Sequence, residues 1–230
     1  MGIEQRYRDM RQEVAETAAA CGRAAGDVAL IAVSKTVGLE GVQEAIEGGC
    51  TVFGENRPDQ IMEKYAAFPE VQWHFIGNIQ SRRIRDIVPC ATMIHSLNHL
   101  DHAEKIGRVA KGLGKVQDVL VEVNVSGEES KSGIAPADAV GFVQCCCRIE
   151  GLRVRGLMTM APQGSREAAR QTFRGLARVA DEVRAQLTPP EAVAFDQLSM
   201  GMSEDWPVAI AEGATMVRIG RAIFSDNFTE

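Results

Sequence analysis

Leu30-Ile31-Ala32-Val33-Ser34-Lys35 is a short apolar run that ends on a lysine, and a helical pattern resumes only at Leu39. A run that short, bounded on both sides, reads as a parallel strand buried on both faces. Lys35 then stands where the strand surfaces, at its carboxyl end. In barrels built from strand–helix units, reactive residues gather at that end. An amine held there, partly desolvated, can lose its proton and form a Schiff base with an aldehyde. How often the strand–helix unit repeats decides whether this chain is such a barrel.

Upstream, Ile3, Tyr7, Met10, Val14, Ala18 and Cys21 recur at helical spacing, so residues 3–20 form a leading amphipathic helix that Gly22 and Gly26 end. Downstream the rhythm is regular. Val28–Ser34 is followed by a helix with Leu39, Val42, Ala45 and Ile46 on one face, and Thr51–Glu55 by a helix after Asn56. Trp73–Gly77 precedes a basic helix from Ser81 to about Val88, which Pro89 stops. Met93–Leu97 leads to a helix capped by Asn98, with Leu100, Ala103, Ile106 and Val109 inward. In Asp118–Val125, four valines interleave with Leu120, Glu122 and Asn124; a loop, Ser126–Gly133, and a helix near Pro136 follow. A strand within Leu152–Met160 precedes a helix from Ser165 to about Leu187, ended by Pro189-Pro190. Phe195–Met200, a helix after Ser203, and Met216–Ile219 complete the series. About eight alternations without a linker or composition break predict one α/β domain over 1–230, a (β/α)8 TIM barrel with an added leading helix over 1–22. A doubly wound open sheet would leave two more polar edge strands, and none is seen.

Composition narrows the function. The 230 residues are 45% hydrophobic and carry a net charge of −6, enough for a full core and without the basic face that nucleic-acid binding needs. No stretch approaches the ~20 apolar residues of a membrane span, and Met1–Tyr7 lacks a signal-peptide core. A cytoplasmic protein without nucleic-acid or membrane partners is expected. Six cysteines include no Cys-x-x-Cys pair, and the consecutive Cys145, Cys146 and Cys147 point about 100° apart on a helix, so reduced thiols are expected. His74, His95, His99 and His102 show no zinc signature, because His95 lies in a strand pattern. No metal is expected.

Two glycine-bearing segments meet the first strand's end. Leu198-Ser199-Met200-Gly201-Met202-Ser203 closes the seventh strand, with Ser203 as a candidate helix cap, and Val217-Arg218-Ile219-Gly220-Arg221 closes the eighth. Phosphate sites in these barrels are built from the loops after strands 7 and 8, and strand 8 closes onto strand 1. An aldehyde-reactive lysine beside a phosphate cradle suits pyridoxal 5′-phosphate, or a sugar phosphate in a Schiff-base aldolase. Arg218 favours the first: a permanently charged, donor-only guanidinium facing a pyridine nitrogen keeps that nitrogen unprotonated and weakens the ring as an electron sink.

Ile31–Lys35, Phe53-Gly54-Glu55-Asn56, Trp73–Gly77, Gln80-Ser81, His95-Ser96, Gly127–Gly133, Gly156–Met160, Leu198–Ser203 and Val217–Gly220 together resemble the pyridoxal phosphate homeostasis proteins. These are similar to the N-terminal barrel of alanine racemase, fold type III. The resemblance implies that Lys35 carries the cofactor as a Schiff base. It further implies that Asn56 and His74 line the cofactor face, that Ser199, Gly201 and Gly220 hold its phosphate, and that Arg218 faces its ring nitrogen. It implies a protein that binds and buffers pyridoxal phosphate and passes it to apo-enzymes, serving vitamin B6 and amino-acid homeostasis, with no catalytic residues of its own. Arg57-Pro58 and Asn78 depart from the family pattern; Pro58 suits a first helical turn, and Asn78 cannot titrate near neutral pH. An amino-acid racemase is the alternative, but two-base racemisation needs an acid–base partner across the ring. Only Tyr7 and Tyr65 are present, on outer helices, and the chain ends at Glu230. Asn56 could equally cap its helix, and Lys131 could be solvated.

Overall fold

The structure is a computed structural model that describes residues 2–225; Met1 and the last residues to Glu230 lie outside the described residues. Eight parallel strands close into a barrel in chain order. They are β1 Ala29–Val33, β2 Val52–Glu55, β3 Gln72–Phe75, β4 Met93–Leu97, β5 Gln117–Glu122, β6 Leu152–Met158, β7 Gln197–Ser199 and β8 Met216–Ile219. The ring shuts where β1 pairs with β8, Leu30 opposite Val217 and Ala32 opposite Ile219. The barrel expected from the count of alternations is the fold observed, and with no open edge there is no row of unpaired backbone groups to protect.

Helices α1 Ile3–Ala20, α2 Leu39–Glu47, α3 Pro58–Ala67, α4 Ile84–Cys90 and α5 Leu100–Gly112 occupy the first half. α6 Ala139–Cys147, α7 Arg166–Arg184, α8 Pro189–Ala194, α9 Trp206–Ala211 and α10 Arg221–Phe224 occupy the second. α1 packs Tyr7, Met10, Val14 and Ala18 inward and touches α2, α9 and α10, so the added helix covers the outside of the β1–β8 closure. Ser165 caps α7 through its side chain, 3.1 Å from the Ala168 amide, a bond worth ~1 kcal/mol. No helix among the described residues is long and apolar enough to cross a membrane.

Alternation along each strand makes two apolar layers. One set, including Phe53, Trp73, Phe75, Ile94 and Val121, packs outward against the helices. The other, Ile31, Met93, Leu120, Met158 and Met216, fills the barrel lumen as a separate cluster. The fold is a plugged barrel, not a pore.

Several local expectations are corrected. Asn98 does not cap α5; His99 flanks that helix, and the Asn98 amide donates to Glu122 Oε2 at 3.2 Å. The inner face of α5 is Ala103, Ile106, Gly107 and Ala110, while Leu100 is 40% exposed. Pro89 lies inside the last turn of α4 and does not stop it. Ser203 does not cap a helix: α9 starts at Trp206 after Asp205, whose Oδ1 accepts the Met202 amide at 2.5 Å. The Pro189-Pro190 pair opens α8, where Thr188 and Glu191 form a capping box, instead of only closing α7.

Candidate functional site

At the carboxyl ends of β4, β5 and β8, the residues two positions beyond the lumen plug are polar. His95 follows Met93, Glu122 follows Leu120 and Arg218 follows Met216, and His95, Glu122 and Arg218 are all buried. Side chains two apart on a strand share a face, so these groups form a polar layer directly above the apolar plug.

That layer is hydrogen-bonded across the barrel. His74 Nδ1 lies 2.9 Å from His95 Nε2, and His95 Nδ1 lies 2.9 Å from Ser199 Oγ. Arg218 donates to Ser199 Oγ at 2.6 Å and to the Thr159 carbonyl at 3.1 Å. Burial holds His74 down to about 4, partly offset by Asp118. Burial, then His74 and Arg218, hold His95 well below its usual range. Both imidazoles are therefore neutral at pH 7. Arg218 is only 5% exposed and is lowered to about 10 by burial against the pull of Asp205 and Glu122, so it stays charged. A guanidinium has five N–H donors; two are engaged here, which leaves capacity for a ligand acceptor.

Lys35 stands immediately after the buried Ser34 and is itself exposed. The partial desolvation expected from its position at the strand end is not found, because burial stops one residue earlier. What is fixed is its backbone. The Ser34 carbonyl accepts Lys64 Nζ at 2.8 Å, the Ser34 hydroxyl donates to Glu55 Oε1 at 2.6 Å, and Lys64 also pairs with Glu55. Lys64 is 2% and Glu55 0% exposed. Gln60 Nε2 completes the clamp on the Lys35 carbonyl at 3.3 Å. The neighbouring strand end is equally close: a Cβ on Gly220 would come within 3.0 Å of the Val33 carbonyl oxygen. The lysine-bearing turn and the last glycine turn are thus side by side, as the ring closure requires.

Asn56 follows β2, and Arg57, not Asn56, flanks α3, with no side-chain cap. Its Oδ1 is buried without a hydrogen-bond partner, which a ligand donor would correct. Gly77 permits this placement, since a Cβ there would lie 2.0 Å from the Asn56 carbonyl oxygen. Gly201 sits at φ +96 with Trp206 and Ala209 against it, a conformation that favours glycine. Ser199 departs from the expected arrangement: its hydroxyl is fully buried and taken by Arg218 and His95, so it sits beneath the glycine turns.

The helix at Pro58 survives the Arg57-Pro58 departure, and Asn78 is exposed. Lys131 is not simply solvated; it donates to the Ala161 carbonyl at 3.4 Å. Arg83 is engaged by Asp59 and Asp86. Both tyrosines lie in the outer core, Tyr7 buried and Tyr65 packed against it, away from the lumen. The described cysteines are all free thiols, and no group of His, Cys, Asp or Glu among the described residues could hold a metal ion. His95, Thr159, Glu122 and the Glu55–Lys64 pair were not expected as site residues. Strand alternation signals His95 and Glu122, two positions past Met93 and Leu120; Thr159 follows the outward Leu157, and nothing local in the sequence signals it or a lysine buried on an outer helix.

The family model for the N-terminal domain of alanine racemase matches residues 9–227. A pyridoxal phosphate homeostasis protein of Aquifex aeolicus is 36% identical over 229 residues, spanning 98% of this chain and 99% of its own. The protein of that name from Escherichia coli K12 is 35% identical over 237 residues, spanning 96% and 95%. PipY of Synechococcus elongatus, solved with PLP bound, superposes with a TM-score of 0.80 at 33% identity, over 92% of this chain and 100% of that one. Identity at this level over nearly the whole length, on the same barrel, places the chain: it belongs to the pyridoxal phosphate homeostasis family, built on the N-terminal domain of alanine racemase.

Proposed function

We propose that this protein binds pyridoxal 5′-phosphate at the carboxyl-end mouth of the barrel and works as a buffer and carrier of that cofactor, with PLP-dependent apo-enzymes as recipients. The observation that carries the reading is the close approach of Gly220 to Val33, two residues before Lys35, across the β1–β8 closure. It supports the reading that the Lys35 amine would reach a backbone cradle at Gly220, in a family whose relatives bear the corresponding name.

The residues present suit the group. Pyridoxal phosphate supplies an aldehyde that condenses with amines and an aromatic ring able to draw electron density from the attached carbon. Lys35 Nζ would hold it by condensing with the aldehyde, releasing one water. Gly201 and Gly220 let the backbone approach the phosphate. Asn56 Oδ1, buried and unpaired, offers an acceptor to the ligand face, and His74 lies on the same mouth-facing layer. Arg218, charged and donor-only, would face the ring nitrogen and discourage its protonation, while Ser199 holds the guanidinium in place. The same arginine argues against carbanion chemistry, and neither tyrosine faces the lumen to serve as a second base. A binding role fits better than racemisation.

Freshly purified protein should be yellow, and its intact mass should rise by the reduced cofactor adduct after borohydride. Lys35→Ala should be colourless and gain no mass. A colourless wild-type protein that stays so after incubation with pyridoxal phosphate would refute the binding role. Solvent-proton exchange at the α-carbon of alanine at enzymatic rates would favour a racemase.

A further inference from the structure

We propose that His95 is a positioning residue: through Ser199 and Arg218 it fixes His74 as a one-way hydrogen-bond donor, with Nε2–H directed at an acceptor atom of the bound ligand. The inference rests on the reading that the barrel mouth takes pyridoxal phosphate, and it assigns a role to His95 that the proposed contacts do not include.

The argument is one of proton direction. A guanidinium only donates, so Ser199 Oγ must accept from Arg218 at 2.6 Å. Ser199 is fully buried, and His95 Nδ1 at 2.9 Å is the other group bonded to its oxygen. If His95 Nδ1 carried the proton, Ser199 would accept twice and its own hydroxyl hydrogen would be stranded in the interior, an arrangement native structures avoid. The serine therefore donates to His95 Nδ1. A proton on both His95 nitrogens would face the arginine charge through one hydroxyl, so His95 is neutral and its hydrogen sits on Nε2. That hydrogen points at His74 Nδ1, 2.9 Å away, which must then be the acceptor. Neutral His74 keeps its hydrogen on Nε2, the outgoing end of the chain. The four side chains form a directional series, arginine to serine to histidine to histidine, whose sense is set by the one member that cannot accept. A histidine outside such a chain exchanges between tautomers and presents a lone pair part of the time; this one presents only a donor.

Histidine tautomers are read directly from two-bond nitrogen–proton correlation spectra of uniformly labelled full-length protein at pH 7, first without ligand. The expected result is His95 and His74 both protonated on Nε2 and bare on Nδ1. Ser199→Ala should scramble both to mixtures. His95→Gln, whose amide oxygen and nitrogen reproduce the accept-and-donate pattern, should keep His74 in the stated form, whereas His95→Leu should not. Circular dichroism confirms that each variant is folded, and Ser199→Ala, the smallest change, serves if His95→Leu is not. Titration with pyridoxal phosphate should then shift the His74 Nε2–H resonance. His95→Leu should bind about tenfold more weakly, the size of one neutral hydrogen bond, with His95→Gln restoring the affinity. His74 found protonated on Nδ1 in the ligand-free wild type overturns the proposal, as does a Nε2–H signal unmoved at saturation. Because the first spectra need no ligand, stated tautomers in a protein that never takes up cofactor would refute the binding role alone.

Discussion

Replacing Glu122 by glutamine should stabilise the protein at pH 8 and leave it nearly unchanged at pH 4. Glu122 is 2% exposed, and burial lifts its carboxyl from 4.5 to about 7, against the lowering effects of Arg218 and the Asn98 hydrogen bond. A carboxyl raised by folding keeps its proton in the folded chain after the unfolded chain has lost it. Its contribution is therefore full below 4.5 and is lost as pH climbs towards 7. Each pH unit in that window is worth ~1.4 kcal/mol, so from 4.5 to about 7 the loss sums to roughly 3 kcal/mol. Glutamine carries no proton to lose, and its Oε1 can still accept from Asn98. Urea unfolding of both proteins at pH 5, 6, 7 and 8 tests this through the difference in stability. The difference should grow with pH up to 7 and flatten above it. His74 and His95, lowered from an ordinary 6.5, contribute stability that is lost as pH falls, but they are common to both proteins and cancel. A difference independent of pH, or one largest in acid, would refute the reasoning.

Lys64→Met leaves Glu55 buried without its partner and should cost ~3–5 kcal/mol. For a chain of this size that is a Tm lower by roughly 6–20 °C in calorimetry. Adding Glu55→Leu should recover most of the loss, and a single variant within 1 kcal/mol of wild type would contradict the clamp. Gly77→Ala puts a Cβ 2.0 Å from the Asn56 carbonyl oxygen and should destabilise by about 3 kcal/mol, seen as a lower urea midpoint. A neutral result would mean that the two turns are not held together.

The barrel was legible because its signal is distributed. Eight short apolar runs, each too weak to decide anything alone, agree on one architecture, and β4 and β8 have the bounds the pattern predicts. The caps failed for a shared physical reason. Asn56, Asn98 and Ser203 look like helix starts in a linear reading, yet each sits where a strand delivers the chain to the barrel mouth. There the Asn98 amide is claimed by Glu122, Asn56 Oδ1 is left unpaired, and Met202 turns to Asp205. The Thr188-x-x-Glu191 capping signature was present and was masked by the two prolines beside it. In the site, the placement of the strand end that carries Lys35 against Gly220 follows from ring closure. The exposure of Lys35 does not, because it depends on how Lys64 and Gln60 reach over from α3, a long-range contact that no local pattern encodes. His95 was visible as a strand residue two positions past Met93, but its worth emerges only once Ser199, a hundred residues later, arrives at its side.

The five side chains that cork the lumen have a consequence for traffic. A corked cylinder has a single doorway, so whatever lodges among the upper turns must leave by the rim through which it came. Were one protein to load a ligand there and another to collect it, they could not work from opposite ends at once and would have to take turns at the same threshold.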